Sequence, residues 1–279
     1  EWFERLSRAA LAVLVDFRLR CGEGCRDLAR SLLHRLGVAD RGLQDAGRQV
    51  GQAGQRERQF LDLAERLLDR LPEIRGGRVV DIGGSLPFWK YLLPILQPAE
   101  VKIYNITSGR MVYGMTERFE NVECHLYDGS SVPLADGEAD VVICSSVIEH
   151  VPLENRRAVA REIRRLGKRY YVQSPAKAFP LEVHFMMPFI HWLPRPVGRM
   201  LARVSPWRFM IGEPVSTDAY FDETRLLSKK EMRALFPDAT IETEWFMGMP
   251  KSYMAFSEGT EQSGRKPEFA TADSGIEIR

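Results

Sequence analysis

From Arg78 onward, short β-rich runs alternate with helical ones. "RVVDI" precedes "FWKYLLPIL", and then come "VKIYNI", "NVECHLY", "ADVVICS", "ENRRAVAREIRRL" and "KRYYVQS". A strand needs other strands to satisfy its backbone N–H and C=O groups, and strands joined through helices pair in parallel, with helices over both faces. The alternation therefore predicts an α/β fold built on a doubly wound, mostly parallel sheet. Further on, "SKKEMRALFP" reads as a helix capped by Ser228, and "ATIETEWF" and "SYMAFS" read as two more strands.

The chain before this alternation has a different texture. "WFERLSRAALAVLVDFRLR" and "CRDLARSLLHRLGV" repeat apolar positions at helical spacing, and the polar stretch "DRGLQDAGRQVGQAGQRER" reads as a linker or weak helix. Residues 1–58 are thus expected to be a helical accessory region, with a homodimer contact as one use, ahead of a single domain over 59–258. Inside that domain "FPLEVHFMMPFIHWLPRPVGRMLARV" is apolar and broken by prolines, which marks 179–210 as a substrate lid. The polar tail 259–279 is expected to be disordered. The chain opens on Glu1 where an initiator methionine would stand, as expected of a shortened N-terminus.

Composition narrows the partners. With 39 basic and 38 acidic side chains the formal charge is +1, so no global field attracts nucleic acid or an anionic membrane. No run reaches the roughly 18 to 20 apolar residues that span a bilayer, and "ALAVLVDF" is short and carries Asp16. Cys21, Cys25, Cys124 and Cys144 lack a zinc spacing, so a reduced, cytoplasmic protein is the simplest expectation.

In doubly wound sheets ligands bind beyond the carboxyl ends of the strands. After the first strand, "VVDIGGSLPFW" places Asp81, Gly83 and Gly84. Glycine lets the backbone approach a ligand and adopt positive φ, although a Gly-Gly there is also an ordinary turn. After the second strand Asn105 is placed to hold a ribose hydroxyl, or to make a turn. After the third, Asp128 precedes Gly129 in "YDGSSVPLADGEAD", where an acid can accept from an exocyclic amine or close an Asx turn. After the fourth, "CSSVIEHVP" brings its serines, Glu149 and His150 to the crevice mouth.

Together these positions resemble the class I S-adenosylmethionine-dependent methyltransferases, over about Phe60 to Phe256, with "VVDIGG" and "LYDGSSVPLADGEADVVICSSVIEHV" as the matching motifs. The resemblance implies a seven-stranded Rossmann-like sheet with a lid insertion after strand five. It also implies S-adenosylmethionine as cofactor and S-adenosylhomocysteine as product. Carried over, Asp81, Gly83 and Gly84 meet the methionine part of the cofactor, Asn105 the ribose, Asp128 with Gly129 the adenine, and Cys144 and Ser145 line the methionine end. The sequence departs from the family in "GGSLPFW", which lacks the last glycine, and in Asn105, where an acid is usual. Pro87 is tolerable in the first helical turn, where no partner for its missing N–H is needed.

Methyl transfer is an in-line displacement in which the protein binds and aligns. An oxygen acceptor usually also needs a base, for which His150 and His184 are the candidates, with Glu182 near the latter. A metal-dependent subset of related enzymes carries Glu-x-x-Glu-His at the fourth strand; here Ser146 takes the first position, so no metal is expected. The aromatic and proline-rich lid suits an aromatic or lipid-like small-molecule acceptor, and the resemblance to bacterial methyltransferases adds a glycan acceptor. A nicotinamide oxidoreductase would want three glycines and an acid after the second strand. The other rivals are a non-catalytic scaffold that retains the fold and an RNA methyltransferase, for which no basic-aromatic surface is evident.

Overall fold

The computed structural model describes residues 45–112, 115–206, 208 and 216–258, with only the backbone for 45–57 and for 109 and 110. The helices expected over 1–44, the tail 259–279, Cys21, Cys25 and part of the expected lid lie outside the described residues.

In chain order the elements are α1 (Asp45–Arg70), β1 (Arg78–Ile82), α2 (Leu86–Leu96), β2 (Glu100–Asn105), α3 (Ser108–Val112), β3 (Val122–Leu126), β4 (Ala139–Ser145), α4 (Arg156–Leu166) and β5 (Gly167–Pro175). There follow β6 (Leu181–Glu182), β7 (Met187–Pro188), α5 (Arg195–Ala202), α6 (Thr217–Glu223), α7 (Lys229–Leu235), β8 (Ala239–Phe246) and β9 (Met249–Ser257). Short 3₁₀ turns occupy Pro72–Ile74, Ile148–His150 and Ile190–Trp192.

One sheet carries seven strands in the order β3-β2-β1-β4-β5-β9-β8. The first five strands pair in parallel, and β9 runs antiparallel between β5 and β8. The doubly wound reading therefore holds. The chain winds outward from β1 through β2 to β3, then returns to build β4 and β5 on the other side. That reversal opens a crevice at the carboxyl ends of β1 and β4.

Alternation along each strand loads both faces. Val79, Val101, Ile103, Val141, Ile143 and Tyr171 meet α1, Leu71 just after it, and α2; Ala64, Leu67, Leu71, Trp89, Leu92 and Leu96 are all fully buried. On the other face Val80, Ile82, Val142, Cys144 and Val172 meet Ala160, Ile163 and Leu166 of α4 and Met232 and Leu235 of α7. Ser228 caps α7 through a capping box with Glu231, as its sequence predicts. From Asp45 on, the polar stretch before Gln59 is helical, the second of its two expected readings, because α1 runs unbroken from Asp45, and the expected boundary at residue 58 falls inside it. After β5, the β6–β7 pair and α5 pack around Phe185, Ile190, Ala202 and Phe221. His184 thus sits in a tight turn between β6 and β7.

Candidate active site

The loop after β1 is built around a buried acid. Asp81 is 1% exposed on the α2 face of the sheet, and the Trp89 indole N–H donates to its Oδ2 at 2.7 Å. Burial pushes its carboxyl up to about 7, against the lowering effect of the Trp89 hydrogen bond. A side chain at Gly84 would place its Cβ 1.9 Å from Asp81 Oδ2. Gly83 has φ +74°, and a Cβ there would meet Val147 Cγ2 at 2.4 Å. Both glycines are therefore required by the turn itself. Ser85 is the N-cap of α2, and Pro87 stands in its first turn, where its missing N–H needs no partner.

Asn105, 5% exposed, ties the end of β2 to this loop. Its Nδ2 donates to the Gly84 carbonyl at 3.0 Å, while its Oδ1 accepts from the Thr107 N–H at 3.3 Å. Asp128 is exposed, and its Oδ1 accepts from the Ser130 N–H at 2.8 Å and the Ser130 hydroxyl at 2.6 Å. Those bonds hold its carboxyl below the usual range. Gly129 follows with φ +84°. Ile106, just after β2, and Leu126, at the end of β3 near Asp128, stay 59% and 61% exposed, so apolar surface is left uncovered at the crevice.

At the end of β4 the two faces separate. Cys144 is fully buried in the core on the α4 face, where burial pushes its thiol well up. Ser145 and Ser146 both donate to Gln173 Oε1, at 3.0 and 2.9 Å. Ser146 has φ +56°, a backbone conformation costly for a side-chain-bearing residue, and it turns the chain into the Ile148–His150 turn.

That turn meets the β6–β7 turn in a compact polar cluster. His150 Nε2 lies 3.0 Å from His184 Nε2, and His184 Nδ1 lies 2.6 Å from Glu182 Oε1. Glu182 is 1% exposed and its other oxygen accepts from the Phe185 N–H at 2.8 Å. Burial acts to raise its carboxyl, but the His184 imidazole prevails and holds it below the usual value. Glu149 is fully buried; its Oε2 accepts from the Ser174 hydroxyl at 3.1 Å, and burial raises its carboxyl. The Arg156 guanidinium does not pair with either acid. Its hydrogen bonds go to the carbonyls of Val151, Glu149 and Arg225, which fixes the turn against the segment after α6.

The site residues inferred from sequence fall into two groups along the carboxyl edge of the sheet. Asp81, Gly83, Gly84 and Asn105 are joined by hydrogen bonds or contact, with Asp128 at the neighbouring strand end. His150 and His184 touch each other. Cys144 joins neither group, since its side chain faces the core. Sequence reasoning missed Trp89, Ser174, Thr224 and Tyr220. Tyr220 stacks on His150 with ring centroids 5.7 Å apart, and the Thr224 hydroxyl lies 3.5 Å from His150 Nδ1. Trp89 was legible, because it lies in the first helical turns after the acid it serves. The other three come from distant segments and carry no local signal.

The profile of the methyltransferase domain family matches residues 93–170, from the end of α2 into β5. No curated protein matches the chain. Among solved structures, an S-adenosylmethionine-dependent methyltransferase from Aquifex aeolicus is similar at 14% identity, covering 72% of this chain and 97% of that one with a TM-score of 0.40. A protein described as an antibiotic-pathway methyltransferase of Anabaena variabilis is similar at 15% identity over 67% of this chain and 64% of that one, with a TM-score of 0.44. The pyocyanin biosynthetic protein PhzM is similar at 17% identity over 76% of this chain and 58% of that one, with a TM-score of 0.41.

Proposed function

We propose that this chain, a class I S-adenosylmethionine-dependent methyltransferase, methylates a hydroxyl group of a small-molecule acceptor bound between the glycine loop and the His150–His184 cluster. The observation that carries the acceptor half of this reading is the Glu182–His184–His150 chain at the crevice, with contacts of 2.6 and 3.0 Å.

Bound in the crevice, S-adenosylmethionine supplies a methyl group on a sulfonium sulfur, so the protein needs only to align and deprotonate the acceptor. In this reading Asp81 and the Gly83–Gly84 backbone hold the cationic methionine end, Asn105 the ribose and Asp128 the adenine amine, with Ser145 lining the methionine end. Two observations suit that assignment. The exposed side chains of Ile106 and Leu126 offer an apolar wall beside Asp128. Asp81 is a buried acid with its carboxyl pushed up to about 7, a group that a nearby ammonium would return to its carboxylate form. Glu182 orients His184 through Nδ1, and the imidazole pair then accepts the acceptor's proton at an Nε2 atom. The acceptor oxygen forms its bond to the methyl carbon as the carbon–sulfur bond breaks toward sulfur, leaving S-adenosylhomocysteine. Tyr220 and Phe185, packed on the histidines, give the acceptor site aromatic walls.

Calorimetry with S-adenosylhomocysteine tests the first half, because Asp128 is exposed and its replacement by Ala leaves packing intact. Asp128→Ala is expected to weaken binding about tenfold, the loss of one hydrogen bond to a charged group. A folded protein that binds neither cofactor form overturns the reading. For the second half, His150→Asn is expected to slow transfer to phenolic or sugar hydroxyls by about 10² to 10⁴ while leaving S-adenosylhomocysteine affinity unchanged.

A further inference from the structure

Three potential metal ligands converge where the proposed acceptor oxygen would sit. One ligand atom each of Glu149, His150 and His184 lies within 4.8 Å of the other two. The two Nε2 atoms lie 3.0 Å apart, about the span of two imidazoles on one ion with bonds of roughly 2.0 to 2.1 Å.

The protons around the pair can be followed. Glu182 accepts at His184 Nδ1, which places the hydrogen on Nδ1 and turns a lone pair outward at Nε2. The Thr224 hydroxyl donates to the Tyr220 carbonyl at 2.8 Å, so toward His150 Nδ1 at 3.5 Å it can only accept. With the His150 hydrogen on Nδ1, that contact is a hydrogen bond and Nε2 turns its lone pair toward His184. Two Nε2 lone pairs then face each other, a contact that needs a positive charge between them. A third observation turns this toward a metal ion. Glu149 is fully buried, and its Oε1 has no hydrogen-bond partner among the described residues. A shared proton would satisfy the two nitrogens alone, whereas a cation among the three residues would also engage the buried Glu149 carboxylate. Glu182 behind His184 supplies the outer carboxylate that orients a metal-bound histidine.

We propose that Glu149, His150 and His184 bind a divalent first-row transition ion, with Glu182 as the positioning residue behind His184. The two-nitrogen, one-oxygen donor set favours ions such as Zn²⁺ over Mg²⁺ or Ca²⁺, which take oxygen ligands. The site departs from the expectation of no metal drawn from Ser146, because the position lost there is supplied by a histidine from the β6–β7 turn. Three protein ligands leave a coordination position open, and an acceptor hydroxyl bound there loses its proton to solvent more readily. With the ion bound both Nε2 lone pairs are engaged, so the ion takes the place of the imidazole base in the proposed transfer, and a shared proton is the alternative occupant of the same gap. What the ion does rests on the proposed methyl transfer, but its binding does not.

The test uses the full, untagged chain, stripped with chelator and titrated with Zn²⁺, Co²⁺ or Mg²⁺, with S-adenosylhomocysteine binding measured on the same sample. One equivalent of Zn²⁺ is expected, with Mg²⁺ far weaker. Glu149→Gln and His184→Ala should each weaken Zn²⁺ at least about tenfold, and Glu182→Gln about 10- to 100-fold. The visible spectrum of Co²⁺ in the unsubstituted protein reads the ligand set even if a variant fails to fold. Intense bands of a four- or five-coordinate nitrogen site support the proposal. A spectrum like that of hydrated Co²⁺, no uptake by folded protein, or Zn²⁺ binding indifferent to all three substitutions overturns it. S-adenosylhomocysteine binding without ion uptake overturns this inference alone, and ion uptake without S-adenosylhomocysteine binding overturns only the methyltransferase reading.

Discussion

Gly84 and Asp81 constrain each other at the smallest scale. The carboxylate lies beneath the glycine at a distance no side chain could share, and Trp89 pins it there from α2. The acid is therefore held in the sheet by packing, with one hydrogen bond to compensate for its burial, and its carboxyl rises to about 7. In the unfolded chain an Asp titrates near 3.9. Between those values the folded state keeps a proton that the unfolded state has released, so folding becomes less favourable as pH rises from about 4 to about 7 and levels off above. Against Asp81→Asn, which cannot titrate, the native chain should lose stability through that window, by on the order of 1.4 kcal/mol per pH unit at most. Chemical denaturation at several pH values checks this; parallel profiles for the two proteins would show that Asp81 is not buried as a neutral acid. S-adenosylhomocysteine affinity should rise over the same interval, because its ammonium group selects the ionised acid.

Among the elements, the β8–β9 hairpin carries a local conflict. Its two-residue turn, Met247-Gly248, has φ of 50° and 77°, the signature of a type I′ turn, and the paired residues Phe246 and Met249 close it. Glycine suits the second position, whereas methionine at the first pays the left-handed penalty with its side chain 56% exposed. Met247→Asn should raise stability by about 0.5 to 1 kcal/mol, since Asn visits this region readily, a gain of about 1 to 4 °C in a thermal melt for a domain of this size. An unchanged or lower Tm would mean that the exposed methionine has a packing role. The strands themselves were legible because β-branched runs flanked by turn residues can hardly do anything else: "ATIETEWF" coincides with β8. The stretch before Gln59 was legible only as a linker or weak helix, since its glycines read as breakers while the amphipathic half of α1 that anchors it lies downstream. Likewise the crevice positions Asp81, Asn105, Asp128 and His150 were readable from strand ends, because topology alone puts them there. The convergence of Glu149, His150 and His184 was not, as it depends on a turn after β6 that "LEVHFMMP" does not announce.

For the whole molecule, the question is where the domain begins. The expected accessory region ends at residue 58, yet α1 crosses that point without a break. Burial and clamping both tie the helix to the domain from its second half onward. Beyond Arg58, Ala64, Leu67 and Leu71 are fully buried against α2, and Phe60 stacks on Tyr91 at 4.6 Å. Arg169 at the start of β5 then locks the end of α1 to the last strand: it donates to the Arg70 carbonyl at 3.0 Å and the Ser257 carbonyl at 2.9 Å, and pairs with Glu73 at 3.0 Å. A chain beginning at Arg58 keeps every one of these contacts and is expected to fold, with a Tm within a few degrees of the full chain. A chain beginning at Pro72 loses Leu67 and Leu71, each worth about 1.5 to 3 kcal/mol of burial, and uncovers Trp89, Leu92 and Leu96. That loss is comparable with the total stability of an ordinary domain, about 5 to 15 kcal/mol, so the shorter chain should be unfolded or aggregate on expression. Circular dichroism melts of the two truncations decide the matter. If both fold alike, α1 is a docked appendage; if neither folds, residues 1–57 contribute to the core and are no accessory region. Because Trp89 holds Asp81 from α2, loss of α1 should also abolish S-adenosylhomocysteine binding, while the chain from Arg58 should bind it as the full chain does.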